Sequence, residues 1–316
     1  MKRLAYLSFA LLTACATTGD DFVDGEQDSS TTTYVQIQDF NGAAGGAEEA
    51  WYGINRTLVT GFDNICGDTF CEGDWSNITA LRMYCSVSSK VATIHDCAWA
   101  FTASTHEVDT RTAAVFPNAV TFECHFKPKT SGPKLIALLA GTDDPLNLPL
   151  PGMGSIYDAI GECFEHPIGG TTITVSPFTT TYTDAENYYT TFPNQQKWRD
   201  SVSALHQGFD NVCGDTFCGS DYSDVQALDL GCSVTRSTGN VKNCVWNFGG
   251  SYTTVKKNGD LDLVSKTWSC PVAVHGTLGQ MISVLTSTTD PETNAIQRTL
   301  PGGVSAYDSI AGCVAR

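Results

Sequence analysis

Apolar positions recur along this chain in two periods, and the order of the periods is run through twice. Trp51, Ile54, Leu58 and Phe62 stand three or four residues apart, the spacing of one helix face, and Trp198, Val202, Leu205 and Phe209 do the same later. Leu81, Met83, Cys85 and Val87 alternate with their neighbours, as do Cys97, Trp99 and Phe101. That is the period of strands with one face turned to a core. The second half answers with Leu228, Leu230, Cys232 and Val234, then Cys244, Trp246 and Phe248. Turn-rich "SSKVATIHD" and "TRSTGNVKN" separate the members of each pair, which predicts two antiparallel hairpins. A third strand is marked by Phe122, Cys124 and Phe126, matched by Trp268, Cys270 and Val272.

After the strands the period returns to that of a helix in "GPKLIALLAGT" and "HGTLGQMISVLTS". Each half closes on a Pro-Gly break, a serine placed to cap (Ser155 or Ser305) and a short helix running to a cysteine. The predicted fold is α+β: two tandem homologous modules, residues 47–168 and 169–316. Each is a helix, a Cys-rich loop, a three-stranded antiparallel sheet and C-terminal helices, with helices on one face of the sheet.

The strongest mark of the repeat is a phrase. "GFDNICGDTFC" at 61–71 returns as "GFDNVCGDTFC" at 208–218, ten residues of eleven unchanged. Its Gly, Asp, Asn and Thr read as a loop. The chain has thirteen cysteines, and twelve divide into matched sets: Cys66, Cys71, Cys85, Cys97, Cys124 and Cys163, then Cys213, Cys218, Cys232, Cys244, Cys270 and Cys313. An even set of six in each copy, behind an export signal, predicts three disulfides per module. The hairpins would join Cys85 to Cys97 and Cys232 to Cys244. Pairing the remainder in order gives Cys66–Cys71 and Cys124–Cys163 with their counterparts. Zinc fits poorly, because the spacing is not that of a zinc knuckle and no histidine recurs at equivalent positions.

The thirteenth cysteine, Cys15, ends "MKRLAYLSFALLTAC", where two positive charges precede an apolar run too short to span a bilayer. Leu12-Thr13-Ala14-Cys15 resembles the lipobox of bacterial lipoproteins. The resemblance, confined to this region, implies cleavage before Cys15, lipidation of its thiol and amine, and anchoring in a membrane of the cell envelope. With Ala16 next, it implies the outer membrane where the cell has one. Residues 16–46, rich in Asp, Ser, Thr and Gly, read as a flexible tether, with "TTTYVQIQDF" a candidate strand inside it. "TTITVSPFTTTY" is a candidate strand leading into the second module. A net charge of −16 argues against nucleic acid as a partner.

Candidate chemistry is sparse. Asp63, Asp68 and Asp74 return as Asp210, Asp215 and Asp221, so calcium is the one cofactor the acids would admit. Their spacing matches no EF-hand, and the favoured reading has them holding a disulfide-tied turn. Trp75 and Tyr222, each beside one of these acids, are candidates for stacking on a glycan or meeting a partner protein. All six histidines differ between the copies, so the repeated residues offer no general base. The expected role is binding of an unidentified protein or glycan ligand without catalysis. A tandem protease inhibitor and an envelope hydrolase using the acidic loop are the alternatives.

Overall fold

The computed structural model describes residues 33–40, 47–67, 69–72, 75–175, 181–214, 217–218, 222, 224–287 and 294–314. Cys15 lies outside them, as do Asp68, Asp74, Asp215 and Asp221.

The fold is mixed α+β, with six α-helices and two antiparallel sheets among the described residues. The first sheet joins β1 (Tyr34–Gln36), β2 (Thr79–Ser88), β3 (Ile94–Val108), β4 (Val115–Phe126) and β5 (Ile168–Gly169) in chain order. Its helices are α1 (Ala47–Cys66), α2 (Gly132–Ala140) and α3 (Ile156–Cys163). The second sheet orders β6 (Tyr182–Asp184), β7 (Gln226–Thr235), β8 (Val241–Val255) and β9 (Leu261–Pro271), with helices α4 (Phe192–Cys213), α5 (Leu278–Leu285) and α6 (Ala306–Val314).

The two sheets share details of register. Trp99 lies opposite Met83 and Trp246 opposite Leu230, and each first hairpin shifts register at the same two places. Cys85 faces Cys97 and Cys232 faces Cys244, and both pairs are disulfide-bonded. The other four bridges are Cys66–Cys71, Cys124–Cys163, Cys213–Cys218 and Cys270–Cys313. Ser155 accepts from the Asp158 N–H in a capping box that opens α3, and Ser305 with Asp308 repeats the contact at α6.

One candidate strand is present and two expectations need correction. The strand expected inside the segment read as tether is β1, paired on the edge of the first sheet. Of the stretch expected as a strand leading into the second module, 171–175 forms none, 176–180 lies outside the described residues, and Tyr182 opens β6. Ile168–Gly169 instead pairs with β4, so the first sheet runs past residue 168. The repeated phrase, read as a loop, is half helix: α1 continues through Cys66 and α4 through Cys213. Phe62 and Cys66 extend the buried stripe by i, i+4 steps, as do Phe209 and Cys213, and that burial outweighs the turn preference of the Asp and Asn between them.

The larger difference is at the face of each sheet turned away from its helices. Alternation predicts polar residues in water there, yet β2 is buried almost throughout. The reason is that the two sheets pack on each other, giving layers of helix, sheet, sheet and helix. Close approach is permitted by small side chains, Ala98, Ala100, Thr102 and Ser104 on β3 and Gly249 on β8, which has no room for a Cβ against Thr102. Leu81, Tyr84, Leu261 and Leu263 fill the space between.

One pair of contacts across the sheets is reciprocal. Ser86 Oγ donates to Gly259 O, and Ser233 Oγ donates to Ala113 O. Ser86 and Ser233 stand 147 residues apart, while Gly259 and Ala113 occupy corresponding turns with φ of +94° and +63°. The two contacts exchange under an approximate two-fold relation, in the manner of an isologous contact.

Candidate functional site

The Cys-rich segments carry the residues that the sequence singles out. Each phrase ends a helix, ties it with a disulfide and drives a phenylalanine inward. Phe70 stacks on Phe62 at 5.9 Å and meets Tyr157 at 5.1 Å, while Phe217 stacks on Phe209 at 5.3 Å and meets Tyr307 at 5.4 Å. Asp63 and Asp210 sit on the exposed side of the last helical turns, not in a loop. Trp75 packs against the core of the first sheet. Tyr222 meets Tyr252 and Trp268 edge to face, 5.0 Å from each, and Lys266 Nζ lies 5.8 Å from its ring centroid. Both rings therefore work within the fold. No group of three or more His, Cys, Asp or Glu side chains among the described residues could hold a metal ion.

A cavity of about 310 Å³ opens elsewhere, between α4 and the β6–β7 edge of the second sheet. Its lining includes His106, Asp184, Glu186, Trp198, Arg199 and His206, together with Ser203 and Asp229. His106 arrives from β3 of the opposite sheet and sits where Gly231 leaves space for its ring. Its Nδ1 faces Asp229 Oδ2 and its Nε2 faces Asp184 Oδ2, so both nitrogens donate and the ring is an imidazolium. Burial alone would push its pKa down, but the hydrogen bonds and charges of the two carboxylates hold it up, to about 10. Asp184 Oδ1 accepts the Glu186 N–H at 2.7 Å. Asp229 Oδ1 accepts nothing from a described residue.

His206 on α4 is the opposite case. Its Nε2 donates to Leu228 O at 2.8 Å, its ring stacks on Trp246 at 5.9 Å, and burial holds its pKa below the usual value. It is a neutral imidazole with Nδ1 left as an acceptor. Arg199 gives Nε and Nη2 to Glu186 Oε1 at 3.1 and 2.9 Å across the mouth.

At another edge one further histidine joins the sheets and a second pairs within the first sheet. His95 Nε2 meets Asp260 Oδ1 at 3.0 Å, and His125 Nδ1 meets Asp96 Oδ2 at 3.1 Å. Asp96 Oδ2 also accepts the Leu261 N–H at 3.1 Å. Burial alone would raise Asp96, but these donors hold it below the ordinary carboxylate value.

The expectation built on the repeated phrase misses every residue of this cavity. The histidines do not recur between the copies, and the cavity lies where the halves differ. The missing signal is the set of non-matching charged positions on elements that otherwise match, Asp229 against Arg82 above all.

Comparison with family models, curated proteins and solved structures finds no significant match to this chain. Six disulfides belong to an oxidising compartment outside the cytoplasm. No described helix is long and apolar enough to cross a membrane.

Proposed function

We propose that this chain is a lipid-anchored envelope protein in which two homologous disulfide-stabilised modules form a rigid body that binds a partner without catalysis. The matching disulfides and registers support descent of the modules from one duplicated unit. Cys15 would be the lipidated residue and the acidic segment after it the tether, holding the body off the outer membrane where the cell has two.

The observation that carries the binding reading is the cavity beside α4. It is concave, mixed in polarity and near the lower end of the roughly 300–1,000 Å³ common for ligand sites. Its groups are built to hold rather than to react. His106 commits both nitrogens to carboxylates, and among the described residues no serine hydroxyl donates to His206 Nδ1, so neither is paired with a serine nucleophile.

Site-specific photo-crosslinking in intact cells tests this. A crosslinker replacing Ser203 on the cavity lining is expected to give a defined adduct. One replacing exposed Val91, away from the cavity, is expected to give none. Absence of an adduct at Ser203, or equal adducts at both positions, would contradict the reading.

A further inference from the structure

The halves of the molecule solve the same place differently. At the 147-residue offset, Asp229, Arg199 and Gly231 correspond to Arg82, Tyr52 and Tyr84, and His206 corresponds to Val59. In the first half the place is filled from within. The Arg82 guanidinium lies 4.5 Å from the Tyr52 ring centroid and 5.5 Å from that of Tyr84, within electrostatic reach of the Asp224 carboxylate. In the second half the arginine has become Asp229 and the place is open.

What remains there is rich in acceptors. Asp229, His206, Glu186 and Ser203 line the opening, while His106 turns both N–H groups, and Arg199 two of its five, to carboxylates. Three carboxylates face two cations, so the cavity keeps a net negative charge in a chain of net charge −16. Such a site is completed by a planar, multi-donor cation, and a guanidinium presents five N–H donors in a fixed fork. The fold already houses that group at the corresponding place in its other half.

We propose that the cavity between α4 and β7 receives the guanidinium of an arginine side chain presented by the partner. This rests on the binding reading above and names the chemistry of the ligand. Asp229 Oδ1 accepts from one edge of the fork, His206 Nδ1 takes a further N–H, and the Trp198 indole forms part of the wall.

The test is calorimetric titration of the full-length mature protein with N-acetyl-arginine amide and, separately, N-acetyl-citrulline amide, its uncharged near-isostere. The arginine probe is expected to bind one to one and at least tenfold more tightly than the citrulline probe. Asp229→Asn is expected to weaken it tenfold or more. Because Asp229 also holds His106, His206→Val serves as the second variant; it installs the residue of the other half without touching His106, and is expected to weaken binding at least threefold. Equal binding of the two probes, no binding of either, or unchanged affinity in both variants would overturn the proposal. Competition at the Ser203 crosslink separates the two ideas. An adduct that forms but resists the arginine probe leaves partner binding standing and removes the guanidinium, while no adduct at all removes the binding reading itself.

Discussion

His106 is the residue on which most of the site's order converges. It crosses from one sheet to the other and separates two carboxylates that would otherwise repel, with its side chain only 16% exposed. Removing one partner of a buried ionic set leaves the others uncompensated, so His106→Asn is expected to destabilise the protein by about 3 kcal/mol near pH 6 in denaturant titration. The pH dependence follows from the same contacts. The folded-state pKa of about 10 lies above the unfolded value. Its contribution is therefore complete below about pH 6.5 and is lost as pH rises through about 10. The wild-type melting temperature should fall over that window more steeply than that of His106→Asn, and the two curves should converge above it. Parallel curves would remove His106 from the account. His206 shows how narrowly such roles are set: the same residue type, on a helix and bonded to a carbonyl, stays neutral.

Elements explain which features could be read in advance. The helices α1 and α4 and the strands β2, β3, β7 and β8 announce themselves because each buries a stripe or face of large apolar residues, Trp51, Phe62, Trp99 and Phe101 among them. The hairpin bridges follow from cysteines that alternate in phase with those residues. Other features were hidden. Val115–Phe126 shows a strand pattern only near Phe122, and β5 and β6 are two or three residues long, held by neighbours rather than by any pattern of their own. The end of α1 was hidden because Asp63 and Asn64 suit a turn while Phe62 and Cys66 need the helix. The bridges differ in what they constrain. Cys124–Cys163 spans 39 residues and Cys66–Cys71 spans 5. Loop-closure entropy then assigns about 4 kcal/mol to the first and about 2 kcal/mol to the second. Replacing each pair by alanine should reproduce that order in chemical denaturation, and the reverse order would show that strain or packing, not chain entropy, sets their worth.

At the scale of the whole molecule, the sheet-on-sheet junction is what sequence reading could not reach. The alternation of β3 reads correctly as one core face of Cys97, Trp99 and Phe101, but its other face, Ala98, Ala100, Thr102 and Ser104, looks merely small. Only the opposing sheet shows why it must be small. Gly249 makes this testable, since a side chain there would run into Thr102, whereas Gly53 on α1 has nothing within 4 Å of a would-be Cβ. Gly249→Val is expected to cost about 1–3 kcal/mol by overpacking the junction. Gly53→Ala is expected to gain up to about 1 kcal/mol of helix stability. Thermal unfolding of the two variants should move in opposite directions, and a neutral Gly249→Val would mean that the sheets do not meet in solution.

If the chain is exported and anchored as proposed, its twelve later cysteines are paired and Cys15 carries lipid. Mass spectrometry of protein purified from its native envelope, alkylated without reduction and then digested, reads both at once. The expected result is an acylated N-terminal peptide beginning at Cys15, six cross-linked peptide pairs joining Cys66–Cys71, Cys85–Cys97 and Cys124–Cys163 with their three counterparts, and no alkylated thiol. Alkylated module cysteines, a link such as Cys66–Cys97, or a mature N-terminus without lipid at Cys15 would contradict it.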